Sequence, residues 1–183
     1  MLDPRQELGE NALVEKPTIA LFEQLGWQTA DCFGEFDAGR SSLGRDSMGE
    51  VVLVQRLEAA LQRLNPGVPS DALTLASEEL TRDRSAMSLT AANREVYSLL
   101  KDGVKVAYRD VDGSEVAETV RVVDWNEPTN NDFFLASQFW ATGEMYTRRA
   151  DLVGFVNGLP WVLIELKAAH KALKTAFDRN LRD

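Results

Sequence analysis

The chain has 183 residues, a formal net charge of −9, one cysteine and one histidine. This length allows one compact domain with a sizeable core. The lone Cys32 excludes an internal disulfide, and with His170 as the only histidine there is almost no material for a Cys/His zinc site or a Ser-His-Asp triad. The acidic balance argues against nucleic-acid binding through a generally basic surface.

Localisation is predicted from the start of the chain and from its apolar runs. The first ten residues, MLDPRQELGE, lack the basic and apolar regions of a signal peptide. No apolar run approaches the length needed to span a bilayer. A single cysteine fits a reducing compartment. We therefore expect a cytoplasmic protein with no membrane partner.

Helices dominate the first half of the chain. Apolar residues recur at helical spacing in four segments: 11–25, 47–64, 71–82 and 91–101. Gly26 is expected to end the first helix, and Ser47-x-x-Glu50 has the spacing of a capping box at the start of the second. Thr90 is expected to cap the fourth helix and Gly103 to end it.

After Gly103 the pattern changes to short β-prone runs separated by turn residues. These runs, with one earlier candidate, are WQTADCF, VKVAYRD, VAETVRVVDW, DFFLASQFWA, ADLVGFV and WVLIELK. A last helix is expected from about Lys171 to the end. The order predicts an α/β or α+β fold, with helices first, a mostly antiparallel sheet and a terminal helix.

The loop AGRSSLGRDS has the glycine spacing of a phosphate-binding loop, with Gly39 and Gly44 five residues apart. Such a loop continues with Lys and then Ser or Thr, which reach the phosphates and magnesium. Here Arg45 and Asp46 follow, and an aspartate would repel phosphate. The sequence therefore predicts no ATP site in this chain.

Three charged side chains interrupt the apolar C-terminal hairpin: Asp151, Glu165 and Lys167. Asn157-Gly158 signals a hairpin that brings Asp151 beside Glu165. Two carboxylates suit Mg²⁺, which would polarise a phosphodiester and lower the pKa of a bound water. Lys167 would stabilise negative charge in the transition state. The alternative is a surface ion pair at the edge of the hairpin, and the residues alone leave both open.

The register of this hairpin decides which side chains share a face. A two-residue turn would pair Asp151 with Ile164, so that Asp151 and Glu165 would face opposite sides. A three-residue loop or a β-bulge would place them together. The metal-site hypothesis therefore predicts an odd loop or a bulge.

The stretch RRADLVGFVNGLPWVLIELK resembles the N-terminal nuclease segment of the restriction (R) subunit of type I restriction–modification enzymes. In that family an NGLP hairpin joins the D…E-x-K pattern. The stretches LFEQLGW, LGRDSMGEVVLVQRLEAALQRLNP and NDFFLASQFW resemble the same family. The resemblance extends from about residue 11 to the end of the chain.

The resemblance implies a restriction-endonuclease-like PD-(D/E)xK core, a mixed sheet flanked by helices, over a single nuclease domain spanning 1–183. It implies a type I site-specific deoxyribonuclease in which Asp151 and Glu165 hold Mg²⁺ and act with Lys167 in catalysis. Glu15, on the first helix, is a further candidate acidic group near the metal. The alternative for Glu15 is a solvated helix residue.

The family also has a Q-x-x-x-Y motif on the helix that follows E-x-K. Asn180 lies near the glutamine position, and no tyrosine follows it. The same segment carries clustered cations, Lys171, Lys174, Arg179 and Arg182, which are candidates for DNA binding. The alternative is a solvated helix face.

The family places ATP-driven translocation motors further along a much longer subunit, so ATP is expected only outside this chain. Expected partners are double-stranded DNA and the methylation and specificity subunits. The implied activity is cleavage of DNA after translocation. Two alternatives remain: a catalytically idle docking or assembly module, and a repair nuclease of the same fold.

Overall fold

The computed structural model describes residues 14–109, 112–143 and 145–166. Two compact units make up the chain, one of Met1–Val51, Phe133–Phe155 and Pro160–Asp183, and the other of Val52–Asp132 and Val156–Leu159. In chain order the elements are α1 (Lys16–Gln24), β1 (Gln28–Asp31), α2 (Val54–Leu64), α3 (Ser70–Thr81), α4 (Leu89–Asp102), β2 (Val104–Arg109), β3 (Glu115–Val120), a 3-10 turn (Pro128–Asn130), β4 (Phe133–Thr142), β5 (Thr147–Val156) and β6 (Leu159–Ile164).

The larger sheet has four strands in the order β1-β4-β5-β6. Strand β1 runs parallel to β4, with Ala30 opposite Ala136. Between β4 and β5 the chain turns back at once, and Gly143 N donates to the Tyr146 carbonyl at 2.9 Å. A connection this short joins antiparallel strands. The predicted mixed sheet flanked by helices is therefore confirmed.

The first unit buries an aromatic and aliphatic core against this sheet. Leu135 and Leu152 are buried on neighbouring strands, and Ile19 and Phe22 of α1 pack against them with Trp27. The rings of Phe22 and Trp27 meet edge to face with their centroids 5.0 Å apart. Contacts of this kind hold α1 against the sheet.

The second unit contains its own two-stranded antiparallel sheet of β2 and β3, with Val106 opposite Glu118. The sequence predicted one mostly antiparallel sheet, and in the described residues this pair forms a second sheet instead. Alternate residues such as Val104 and Val106 are buried with Val120 in a core supplied by α2 and α3. Helices therefore cover one face of this pair.

Two predicted helix starts were wrong. The second helix begins at Val54 instead of Ser47, and Ser47 and Glu50 close a turn instead of a capping box. In that turn the Glu50 carboxylate accepts from Asp46 N at 2.7 Å, and Ser47 Oγ accepts from Gly49 N at 3.2 Å. Hydrogen bonds of these side chains to the nearby backbone compete with helix formation.

The cap of α4 is Ser88, whose Oγ accepts from Ala91 N at 3.3 Å, instead of Thr90. Thr90 lies within the first turn. Gly103 ends the helix as predicted, with φ at +84°.

Candidate functional site

A cleft of about 360 Å³ opens in the first unit. Its walls come from the residue before α1, the end of β1 and the residues just after it, the middle of β4, strand β5 and the segment after β6. The lining residues are Glu15, Asp31, Phe33, Gln138, Arg149, Asp151 and Leu166. The fold thus brings the Asp151 carboxyl group into one cleft with those of Glu15 and Asp31, which lie more than a hundred residues earlier in the chain.

Asp151 is half-buried on β5, and its Oδ2 accepts a hydrogen bond from the backbone N–H of Leu166 at 2.8 Å. That N–H belongs to the middle residue of the Glu165-Leu166-Lys167 segment. Side chains stand roughly perpendicular to a sheet, so the chain after β6 must cross the face on which Asp151 lies. The two parts of the predicted motif are therefore joined by a direct bond.

The predicted odd loop was wrong. Asn157 and Gly158 form a two-residue turn with φ of +51° and +78°, the left-handed values typical of tight hairpins. Asn157 is fully buried, and its amide donates to the Val122 carbonyl at 2.8 Å, which holds the turn in place. A second feature prevents the alternation of side chains from placing Glu165 on the face of Asp151. Strand β6 ends at Ile164, so strict alternation does not extend to Glu165.

Strand β6 also differs from the buried strand that its apolar sequence suggests. Trp161, Val162 and Leu163 are 37%, 42% and 51% exposed. Glu165, directly after the strand, is half-buried and is not one of the residues that line the cleft. The charged motif therefore follows an exposed edge strand, and it does not interrupt a buried one.

Lys167 lies outside the described residues, as do Asn180 and the candidate DNA-binding cations Lys171, Lys174, Arg179 and Arg182.

Glu15 is brought into the same cleft as Asp151, although it precedes α1. Its side chain is buried, at 7% exposure, and its Oε1 accepts from Gln138 Nε2 at 2.8 Å. Gln138 lies in the middle of β4 with φ at +55°, a conformation that non-glycine residues adopt rarely. Backbone strain of this kind is concentrated at functional sites. This local distortion of the strand accompanies the hydrogen bond from Gln138 to Glu15.

Asp31 ends β1, and its Oδ1 accepts from the backbone N–H of Phe33 at 2.9 Å. The bond turns the chain so that the Phe33 ring stands at the cleft, 59% exposed. Arg149 lies against that ring and against Trp140, with its guanidinium carbon 5.1 and 5.4 Å from the two ring centres. In the part of the chain that the structure describes, the cleft therefore holds an arginine beside its carboxylates.

Sequence reasoning missed Asp31, Phe33, Gln138 and Arg149. For Arg149 a signal was present, because Arg149 and Asp151 are two residues apart on one strand and so share a face. The other three reach the cleft only through contacts between distant segments, and no local pattern marks them.

The possible metal ligands at the cleft are carboxylate and amide oxygens, which suit a hard cation such as Mg²⁺. Within residues 14–109, 112–143 and 145–166, no three acidic, histidine or cysteine side chains come close enough to hold a metal ion. Mg²⁺ commonly takes only one or two carboxylates and completes its shell with water and substrate phosphate. The residues present fit a cation held in that incomplete way.

No helix in the described part of the chain is long and apolar enough to cross a membrane.

With its mixed sheet, its flanking helices and a carboxylate cleft joined to an E-x-K segment, the chain has the features of an α+β nuclease-like fold. Residues 7–183 match the family "Type I restriction enzyme R protein N terminus". The chain belongs to that family.

Two relatives agree with this membership. The chain is 33% identical over 162 residues to the "Type I restriction enzyme HindI endonuclease subunit" of Haemophilus influenzae, covering 87% of the chain and 15% of that protein. It is 25% identical over 182 residues to the "Putative type I restriction enzyme MjaIXP endonuclease subunit" of Methanocaldococcus jannaschii, covering 94% of the chain and 16% of that protein. The chain thus spans less than a fifth of the length of these relatives.

Proposed function

We propose that this chain is a metal-dependent endonuclease domain that hydrolyses DNA phosphodiester bonds in an ATP-dependent type I restriction enzyme, after translocation. One observation carries the proposal. Asp151 lies in an oxygen-rich cleft, and its carboxylate is bonded to the backbone of the Glu165-Leu166-Lys167 segment. The match to R-subunit N-terminal regions supports a restriction enzyme over a repair nuclease.

The bond to Leu166 gives Asp151 a defined orientation. Because Oδ2 is engaged by the backbone, Oδ1 is the oxygen left to face a cation or a phosphodiester. Asp151 and Glu165 would hold Mg²⁺, which when bound supplies charge to polarise the phosphodiester and acidify a water. Lys167 would place a point charge where negative charge develops.

Glu15 is the third acidic group of the proposed site. Its hydrogen bond from Gln138 fixes one carboxylate oxygen and leaves the other free to accept from a water. A buried carboxylate in this position can orient a water toward the phosphodiester.

The setting that we propose is a cytoplasmic complex. Double-stranded DNA would be delivered by ATP-driven motors outside this chain, and methylation and specificity subunits would be partners. A domain with a net charge of −9 has no averaged field that attracts DNA. Delivery by other parts of the complex is consistent with that charge.

The test is Asp151→Asn in the complete restriction enzyme. Asparagine keeps an oxygen that can accept from Leu166 N, so the fold should persist while the carboxylate charge is lost. We expect cleavage to fall at least about a hundredfold, with ATP hydrolysis and translocation unchanged.

Asp37→Asn is the matched control, because Asp37 is exposed in the same unit and does not line the cleft. It should cleave like the wild type. If Asp151→Asn also cleaved at the wild-type rate, the chain would be the catalytically idle docking module instead of the nuclease.

A further inference from the structure

Arg149 is the cation among the described residues that line the cleft, and two aromatic rings hold it there. It lies on β5 two residues before Asp151. Its guanidinium is in cation–π contact with Phe33 and with Trp140. The Trp140 indole N–H in turn donates to the Phe33 carbonyl at 3.1 Å, which ties the two aromatic segments together. The arginine is therefore restricted before any ligand arrives.

The two rings restrict the guanidinium without using its hydrogen bonds. Arginine has five N–H donors, and ring faces take none of them as a carboxylate would. Among the residues that the structure describes, no carboxylate forms an ion pair with Arg149, although Asp31 and Asp151 line the same cleft. The donors remain available to an anionic ligand.

Core packing does not explain the position of Phe33. Its ring is 59% exposed, and the turn that presents it is closed by Asp31. An exposed ring against an arginine lowers the rotamer freedom that the arginine would lose on binding. This preorganisation favours an anion with two oxygens that accept parallel hydrogen bonds from the guanidinium, and a phosphodiester group is such an anion.

We propose that Arg149 binds a backbone phosphate of DNA at the mouth of the cleft and so positions the strand beside Asp151. The inference rests on the nuclease function proposed above. A cleft with three carboxylates repels a polyanion, so a strand that enters it needs a fixed cation at the point of entry. Arg149 is a positioning residue in this scheme, and it does not act on the reacting atoms.

The test is a titration of a short labelled duplex with the 183-residue chain over a series of salt concentrations, starting at low salt. Arg149→Ala should lower affinity about fivefold to tenfold and reduce the slope of log K against log salt by about 0.9, the value for one lost phosphate contact. Duplexes of unrelated sequence should respond alike, because phosphates carry no sequence information. Arg149→Lys keeps the charge without the planar fork and should give an intermediate affinity.

Arg148→Ala is the matched control. Arg148 is the neighbouring exposed arginine, it stacks on Tyr146 at 5.1 Å, and it does not line the cleft. Its loss should change affinity and slope less than the loss of Arg149. The inference is overturned if the Arg149→Ala chain binds within twofold of wild type with the same slope, if Arg148→Ala has an equal effect, or if the wild-type chain shows no salt-dependent binding.

The Asp151→Asn variant separates this inference from the proposed function. In the same titration it should bind DNA at least as well as wild type, because a negative charge is removed. If Asp151→Asn abolishes cleavage and Arg149→Ala binds normally, only the phosphate site is refuted. If Asp151→Asn still cleaves while Arg149→Ala loses the contact, the phosphate site stands and the assignment of the nuclease site fails.

Discussion

Arg45 is a buried cation in the loop that follows β1, and its replacement by methionine should destabilise the chain strongly. Its Nε donates to Glu35 Oε1 at 2.9 Å, and its Nη2 bonds the other carboxylate oxygen. The two side chains are 1% and 0% exposed. Nη1 also donates to the carbonyls of Glu50 and Trp140 at 2.9 and 3.1 Å, and the guanidinium lies 4.0 Å from the centre of the Phe139 ring.

The size of the effect follows from what Arg45→Met leaves behind. Methionine fills much of the volume but supplies no donor, so the Glu35 carboxylate and two carbonyls lose their partners. Removing one member of a buried ion pair costs about 3–5 kcal/mol. For a chain of this size each kcal/mol corresponds to roughly 2–4 °C in melting temperature, so we expect a decrease of about 6–20 °C.

Thermal unfolding followed by tryptophan fluorescence is the assay, since Trp140 carries one of the carbonyls that Arg45 binds. The double variant Glu35→Met/Arg45→Met should recover part of the loss, because no buried charge is then left alone. Arg40→Met is the matched control, from an exposed arginine in the same loop. A melting temperature of Arg45→Met within about 2 °C of wild type, or strictly additive effects in the double variant, would refute the reasoning.

Five further outcomes are expected. Lys167→Ala in the complete enzyme should abolish cleavage and leave ATP hydrolysis and translocation nearly intact; comparable loss of both would contradict the assignment. Gly158→Ala should cost more than about 2 kcal/mol in urea unfolding, because φ is +78° and a Cβ would lie 2.5 Å from the Leu53 carbonyl oxygen. Burial, with the nearby Glu35 charge, raises the pKa of the Cys32 thiol from 9.0 to about 12. Thiol reagents at pH 8 should therefore label it roughly a thousandfold more slowly than an unfolded cysteine. Because the folded pKa is the higher one, stability should also fall as pH rises from 9 toward 12, and Cys32→Ala should remove that fall; a rise in stability over this range would contradict it. The 183-residue chain, with its charge of −9, should bind duplex DNA weakly at near-physiological salt; submicromolar binding by anisotropy would show that it depends less on other domains than we propose.

Where a short pattern carries the information, the sequence alone predicted the structure well. The helices observed as Ser70–Thr81 and Leu89–Asp102 were predicted to within two residues at each end. Asn157-Gly158 predicted its hairpin, because only a few residue types adopt two successive left-handed conformations. Asp151, Glu165 and Lys167 were singled out because charged residues are unexpected in an apolar β-prone run.

The tertiary structure decided what joins these pieces. In the sequence, Arg45 was noted because it stands where a phosphate-binding loop has a lysine. Its buried ion pair with Glu35 depends on how the loop folds back on itself. Strands β2 and β3 have the same sequence pattern as the other strands, but among the described residues they form a separate two-stranded sheet. Their buried side chains pack in the core of the second unit.

The cleft is also a feature that only the tertiary structure decided. Glu15 meets Gln138 across 123 positions of sequence, and Arg149 meets Phe33 across more than a hundred. Residues three or four apart on a helix, or two apart on a strand, share a face whatever surrounds them, so local order can be read from spacing. A contact over such a long separation has to overcome the entropic cost of closing the loop between its residues, so it depends on the other interactions of the folded chain. For that reason the sequence could indicate Asp151 and Glu15 separately, and only the folded chain brings them into one site.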